Sequence, residues 1–183
     1  MDEDGPLGWV PVEGRGSLPF ALVHGESLVA AASWALGEAG AVLFDATVPF
    51  DEVRRSGRAL VLHDPLCPLT PVDFLRAAVE RSEVTDAVVV GFRPVTDTVK
   101  RIDGDRLGET VDRADLREVT SPVVIPAAVL AGLDGPDGAD VLHAGDLAAV
   151  VAALAEVAEI SWIEAPALGR RVRDEADLPD LEA

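Results

Sequence analysis

A chain of 183 residues, 49% of them hydrophobic, is long enough for one domain with a full core and too apolar for a disordered segment. Its formal net charge of −18 repels phosphate backbones and anionic lipid, so neither nucleic acid nor membrane is expected as a partner; a small phosphorylated ligand in a local basic pocket is still allowed. The one cysteine excludes an internal disulfide and a thiolate zinc cluster, and no charge-free apolar run reaches membrane-spanning length. With an acidic start, Met1-Asp-Glu-Asp, in place of a basic signal region, a soluble cytoplasmic protein is expected.

Residues 1–8 read as an acidic tail. Trp9-Val-Pro-Val12 reads as a first strand running into Glu13-Gly-Arg-Gly-Ser-Leu-Pro19. A strand feeding a glycine-rich loop can present backbone N–H groups to phosphate, which makes Gly14 and Gly16 candidate ligand-binding positions; an ordinary turn is the competing reading. Glu26 to Ala39 has helical periodicity, with Leu28, Ala31, Ala32, Ala35 and Leu36 on one face and Gly40 to end it. Ala41–Phe44 and Ala59–His63 are short apolar runs of the kind found in buried parallel strands.

His63-Asp-Pro-Leu-Cys-Pro68 follows the second run. Cys67 is either a nucleophile or a small buried apolar residue, and no accompanying triad favours the former. Thr70-Pro-Val-Asp73 predicts a helix start with Thr70 as N-cap, and Phe74, Leu75, Ala78 and Val79 form the stripe behind it. Asp86–Phe92 has the pattern of a central strand. Val123–Leu133 is apolar with Pro126 suited to a helix start, and Gly132–Gly138 is rich in turn residues. Asp146–Glu159 reads as a core helix, Ile160–Ile163 as a last strand, and Arg170-Arg-Val-Arg173 as a basic cluster. His24, His63 and His143 share no metal-ligand spacing. The alternation of strands and helices predicts a single α/β domain over 1–183 with a mostly parallel sheet.

Between the central strand and the apolar run lies Pro94–Arg113, a strand, a tight Asp103-Gly104 turn and a return strand. It carries Lys100, the only lysine of the chain. Such a polar hairpin can be plain edge protection. Pro94-Val-Thr-Asp-Thr-Val-Lys-Arg101 with Glu109-Thr-Val-Asp-Arg113 also closely resembles the methylerythritol-phosphate cytidylyltransferases of the non-mevalonate isoprenoid pathway. The likeness is sharp over 94–113 and traceable from about residue 8 to 178.

That resemblance implies a three-layer nucleotidyltransferase (Rossmann-like) α/β fold in which 94–113 is a projecting β-arm clasping a second subunit. It further implies catalytic roles for Asp64, Thr98, Arg113 and Arg171, with Asp64 also placing Mg2+ if the protein is catalytic. Thr120 or Ser121 would fill the family's Thr-Pro-Gln place. Two positions and one segment depart from the family pattern. Phe20 stands where a lysine neutralises nucleotide phosphates, Cys67 stands for an arginine, and residues 45–58 are too few for the base-reading Gly-Gly-x-x-Arg-x-x-Ser unit. The expectation is therefore a non-catalytic binding or regulatory homologue, a homodimer through the arm or a heteromer with an intact relative. The alternative is a divergent enzyme transferring CMP from CTP to a sugar- or polyol-phosphate.

Overall fold

Apolar alternation in the strands decides the layering. In the computed structural model, which describes residues 5–104, 106–133, 142 and 146–182, six strands form one sheet in the order β10-β6-β9-β5-β1-β4. These are β1 (Leu7–Trp9), β4 (Val42–Leu43), β5 (Leu60–Leu62), β6 (Val88–Pro94), β9 (Arg117–Ile125) and β10 (Ile160–Glu164). Leu60, Leu62, Val88, Val90, Val123 and Ile125 share one core with side chains of α2 (Phe50–Arg55), α4 (Ala127–Gly132) and α5 (Leu147–Leu154). The intervening Val61, Val89 and Val124 pack with Leu36 of α1 (Leu28–Glu38) and Ala78 of α3 (Val72–Thr85). Successive strand side chains point to opposite faces, so the sheet is buried on both sides and the fold is a three-layer α/β/α sandwich. Each fully buried Leu or Val contributes about 1.5–3 kcal/mol, so these central strands are the stable frame of the molecule.

The sheet is parallel except for β9, which runs antiparallel to both β5 and β6. Its register with β5 sets Leu62 opposite Val123, so the next residues of each strand carry Asp64 and Ser121 toward one another. With β6 the register jumps from Val90↔Val123 to Gly91↔Thr120, which leaves Ser121 and Pro122 out of that ladder. Such an irregularity re-aims a side chain. Gly91 is required beside it, because a Cβ there would overlap the Ser121 carbonyl oxygen.

Three local expectations are corrected. The first strand, expected over Trp9–Val12 after a tail 1–8, is Leu7–Trp9, because Leu7 and Gly8 pair with both β4 and β5. The helix expected from Glu26 begins at Leu28, because Glu26–Ser27 forms β3 and pairs with β2 (Leu22–Val23); Ser27 Oγ then caps the helix by accepting from the Ala30 N–H at 3.3 Å. Thr70 does not cap α3. Its hydroxyl donates to the Cys67 carbonyl at 2.8 Å, and Pro71 stands at the cap position. The turn-rich segment 134–138, His143 and the tail 1–4 lie outside the described residues.

β7 (Val99–Asp103) and β8 (Arg106–Val111) form a separate antiparallel pair that shares no ladder with the six-stranded sheet. Asp103 pairs with Arg106, and Gly104 takes a φ of 59°, the left-handed conformation that a two-residue hairpin turn needs. A satellite core of Val23, Leu28, Leu66, Val172 and Leu181 fastens the C-terminal segment over the β2–β3 hairpin.

Candidate active site

In sheets of this kind ligands collect beyond the carboxyl ends of the strands. The loop after β1 and the turn after β5 meet there. Gly14 and Gly16 adopt φ of 74° and 59°, a region costly for residues with a Cβ. The two glycines lie near the surface, and the bend between them turns Arg15 inward until only 8% of it is accessible.

Arg15 Nε donates to Asp64 Oδ1 at 2.8 Å, with both side chains almost wholly buried. Oδ1 accepts a second bond from the Leu66 N–H at 3.0 Å. The other oxygen, Oδ2, is held by Arg171 Nε at 3.0 Å. Arg171 reaches this place because Val172 N–H donates to the Leu66 carbonyl at 2.7 Å and the Val172 side chain is set in the satellite core. The neighbouring arginines turn elsewhere, Arg170 toward Asp180 and Arg173 to Asp177. A buried carboxylate is tolerated only when paired and hydrogen-bonded, and Asp64 meets both conditions.

Ser121, released from the β6 ladder, accepts from the Asp64 N–H at 2.6 Å. Burial and the Asp64 carboxylate push the Cys67 thiol up to about 12, against the opposing pull of Ser121 and Arg171. A thiol held protonated in this way is no nucleophile at neutral pH. His63 is fully buried, and neither ring nitrogen has a hydrogen-bond partner among the described residues. Burial lowers it to about 4, overriding the attraction of Asp64 for its charged form.

The structure therefore brings together Asp64 and Arg171 of the expected set and adds Arg15 and Ser121. Thr98 and Arg113 are exposed at the root of the β7–β8 hairpin, where Arg113 Nη1 donates to the Thr96 carbonyl at 2.6 Å; neither has a described bond to Asp64. Phe20, which the resemblance sets in the place of a lysine, is 59% exposed on the 3-10 turn Leu18–Phe20. Residues 50–55 form only the short α2, which buries Val53 in the core.

The Mg2+ that the resemblance implies does not fit this donor set. Asp64 presents both oxygens to guanidinium groups and is 1% exposed, whereas magnesium needs an open octahedral shell that keeps several waters. Among the described residues no three acidic, histidine or cysteine side chains cluster to hold a metal. Two arginines around one aspartate instead leave the cluster one net positive charge.

The family model described as IspD, 2-C-methyl-D-erythritol 4-phosphate cytidylyltransferase, matches residues 50–161, more than half of the chain. The bifunctional enzyme IspD/IspF of Clavibacter michiganensis subsp. michiganensis is 45% identical over 73 residues, a stretch covering 39% of this chain and 18% of that protein. The matched part is thus a small share of that relative's length. Among solved structures, the 2-C-methyl-D-erythritol 4-phosphate cytidylyltransferase of Thermus thermophilus superposes with a TM-score of 0.68 at 21% identity, covering 97% of this chain and 96% of that one. The Francisella tularensis protein of the same name gives 0.69 at 14% identity, covering 96% and 97%. At those identities the likeness speaks to the fold, and the profile match over residues 50–161 settles the lineage: the chain belongs to the 2-C-methyl-D-erythritol 4-phosphate cytidylyltransferase (IspD) family.

Proposed function

We propose that this chain is a non-catalytic member of its family, a binding or regulatory subunit that retains the sheet and the hairpin but not the nucleotide chemistry. The observation that carries the reading is the double clamp on Asp64, whose oxygens are both engaged by arginines of its own chain. Cytidylyl transfer by in-line attack of an acceptor phosphate on the α-phosphorus of CTP needs positive charge aimed at the developing negative charge. Exposed Phe20 supplies none, and the protonated Cys67 thiol makes no bidentate contact to an anion. Gly14 and Gly16 shape a loop whose function is to seat Arg15, and residues 94–113 act as an arm that pairs the chain with a second copy or an intact relative.

A second reading is favoured by one feature. The net positive charge of the Arg15–Asp64–Arg171 cluster lies at the strand ends where a nucleotide phosphate would sit, so a divergent cytidylyltransferase would have a cation for its substrate. Pyrophosphate release with Mg-CTP and methylerythritol phosphate separates the two. Each missing phosphate-stabilising charge costs on the order of a hundredfold in rate, so no release above background is expected. Turnover that disappears on Asp64→Asn establishes the second reading and ends the first.

A further inference from the structure

We propose that Arg15 and Arg171 take over the work of a divalent cation in this chain, so that its anion site operates without metal and Asp64 is a positioning residue for the two arginines. The implied Mg2+ and the donor set disagree at the level of lone pairs. A carboxylate that ligates magnesium must offer it a lone pair and an approach through water. Oδ1 of Asp64 already accepts from Arg15 Nε and the Leu66 N–H, Oδ2 accepts from Arg171 Nε, and the side chain is 1% exposed. A dication approaching it would also stand against two guanidinium groups.

The two arginines divide the task by burial. Arg15 is locked, with Nε on Asp64 and Nη1 donating to the Glu13 carbonyl at 2.9 Å, and its side chain is 2% exposed. It neutralises Asp64 and leaves Arg171 in surplus. Arg171 is 31% exposed, spends Nε on Asp64, and has no described hydrogen bond from either Nη. A guanidinium fixed at Nε with its two Nη groups open to solvent is a preorganised fork for phosphate oxygens. The backbone bond from Val172 to Leu66 holds that fork in place before any ligand arrives. The ligand class is an anion bearing a terminal phosphate or diphosphate, bound through Arg171.

The proposal rests on the same double clamp of Asp64 as the non-catalytic reading, and it is tested by binding and not by turnover. Inorganic pyrophosphate is titrated calorimetrically into the intact protein at fixed ionic strength, once with EDTA and once with excess Mg2+. Mg2+ alone is titrated as a third arm. Binding in EDTA at least as tight as in Mg2+, with no heat from Mg2+ alone, is expected. Arg171→Gln should weaken pyrophosphate binding at least about tenfold, and Arg171→Lys should recover part of it by keeping charge without the fork. Far-ultraviolet circular dichroism confirms that both variants are folded, which is expected because Arg171 is partly exposed. Binding that requires Mg2+, stoichiometric Mg2+ binding that Asp64→Asn removes, no pyrophosphate binding under either condition, or binding indifferent to Arg171→Gln each overturns the proposal. CTP turnover alongside unchanged metal-free binding would sink the non-catalytic reading and leave this one standing.

Discussion

The strand-end cluster and the β7–β8 hairpin carry the two halves of the residue set that the family resemblance singles out, and they differ in where their partners come from. Asp64 and Arg171 find each other, with Arg15 added; Arg15 and Asp64 are almost wholly buried, and Arg171 covers them from the solvent side. Thr98, Lys100 and Arg113 lie on a hairpin and its root that share no ladder with the main sheet, and Ile102 on it is 78% exposed. The contrast teaches that the first half is part of the fold's own stability, whereas Thr98, Lys100 and Arg113 of the second are exposed to solvent. Low dielectric makes the Arg15–Asp64 pair strong and intolerant of losing either member; solvent screening makes the hairpin's charges weak and tolerant.

The largest effect is expected at Asp64. Asp64→Ala leaves Arg15 as an uncompensated buried charge, which should cost about 3–5 kcal/mol, read as a fall in the urea midpoint with the slope unchanged. The double variant Arg15→Met, Asp64→Leu should lose less than that, because an apolar pair of similar volume need not be worse than a buried ion pair. If Asp64→Ala lowers stability by under about 1 kcal/mol, water screens the Arg15–Asp64 pair and the contrast with the hairpin collapses.

His63 gives the next effect, and its sign follows from linkage. Burial lowers the pKa of the imidazole to about 4 in the folded state, against 6.5 in the unfolded chain. The unfolded state therefore binds more protons in that window, so stability is fully present above pH 6.5 and is lost as pH falls toward 4. The loss amounts to about 3 kcal/mol. His63→Leu should remove this part of the acid limb and raise stability at about pH 4.5 relative to about pH 7, as followed by urea unfolding at the two values. An acid limb unchanged in the variant would place the titrating group elsewhere.

The frame of this molecule was legible from residue pattern, and the site only in part. Apolar runs at Ala41–Phe44, Ala59–His63, Asp86–Phe92 and Ile160–Ile163 all overlap strands of the sheet; the central two, Leu60–Leu62 and the start of Val88–Pro94, are continuously apolar because they are covered on both faces. β9 escaped, since Arg117-Glu-Val-Thr-Ser-Pro122 mixes charge, hydroxyl and proline, and its antiparallel place is set by pairing between distant segments. Arg15 escaped for a related reason. In a chain an arginine between two glycines looks like a solvated turn, and only the left-handed φ on both sides shows that it can fold inward. A Gly-Arg-Gly at a strand end, in a chain with an aspartate at another strand end, was the available clue. Among Arg170, Arg171 and Arg173 nothing local distinguishes the middle one; the Val172 anchor does.

The smallest effect on stability, and the sharpest on assembly, is expected in the hairpin. Arg113 has one described bond, to the Thr96 carbonyl, and is exposed, so Arg113→Ala should change folding stability by less than about 0.5 kcal/mol. Replacing residues 101–108 by a short Gly/Ser turn should be similarly mild for the body, since the hairpin's ladder is its own. A two-stranded pair is marginal by itself in water, and this one carries exposed Ile102 beside Lys100 and Arg101. Clasping an identical hairpin across a two-fold axis would bury Ile102 and pair free strand edges. Light scattering should then give the mass of a dimer for the intact protein and of a monomer after the replacement. A monomer from the start means the hairpin serves a different partner, and a dimer that survives the replacement moves the interface to another face. Either result would leave the strand-end cluster untouched, because its partners are all in its own chain.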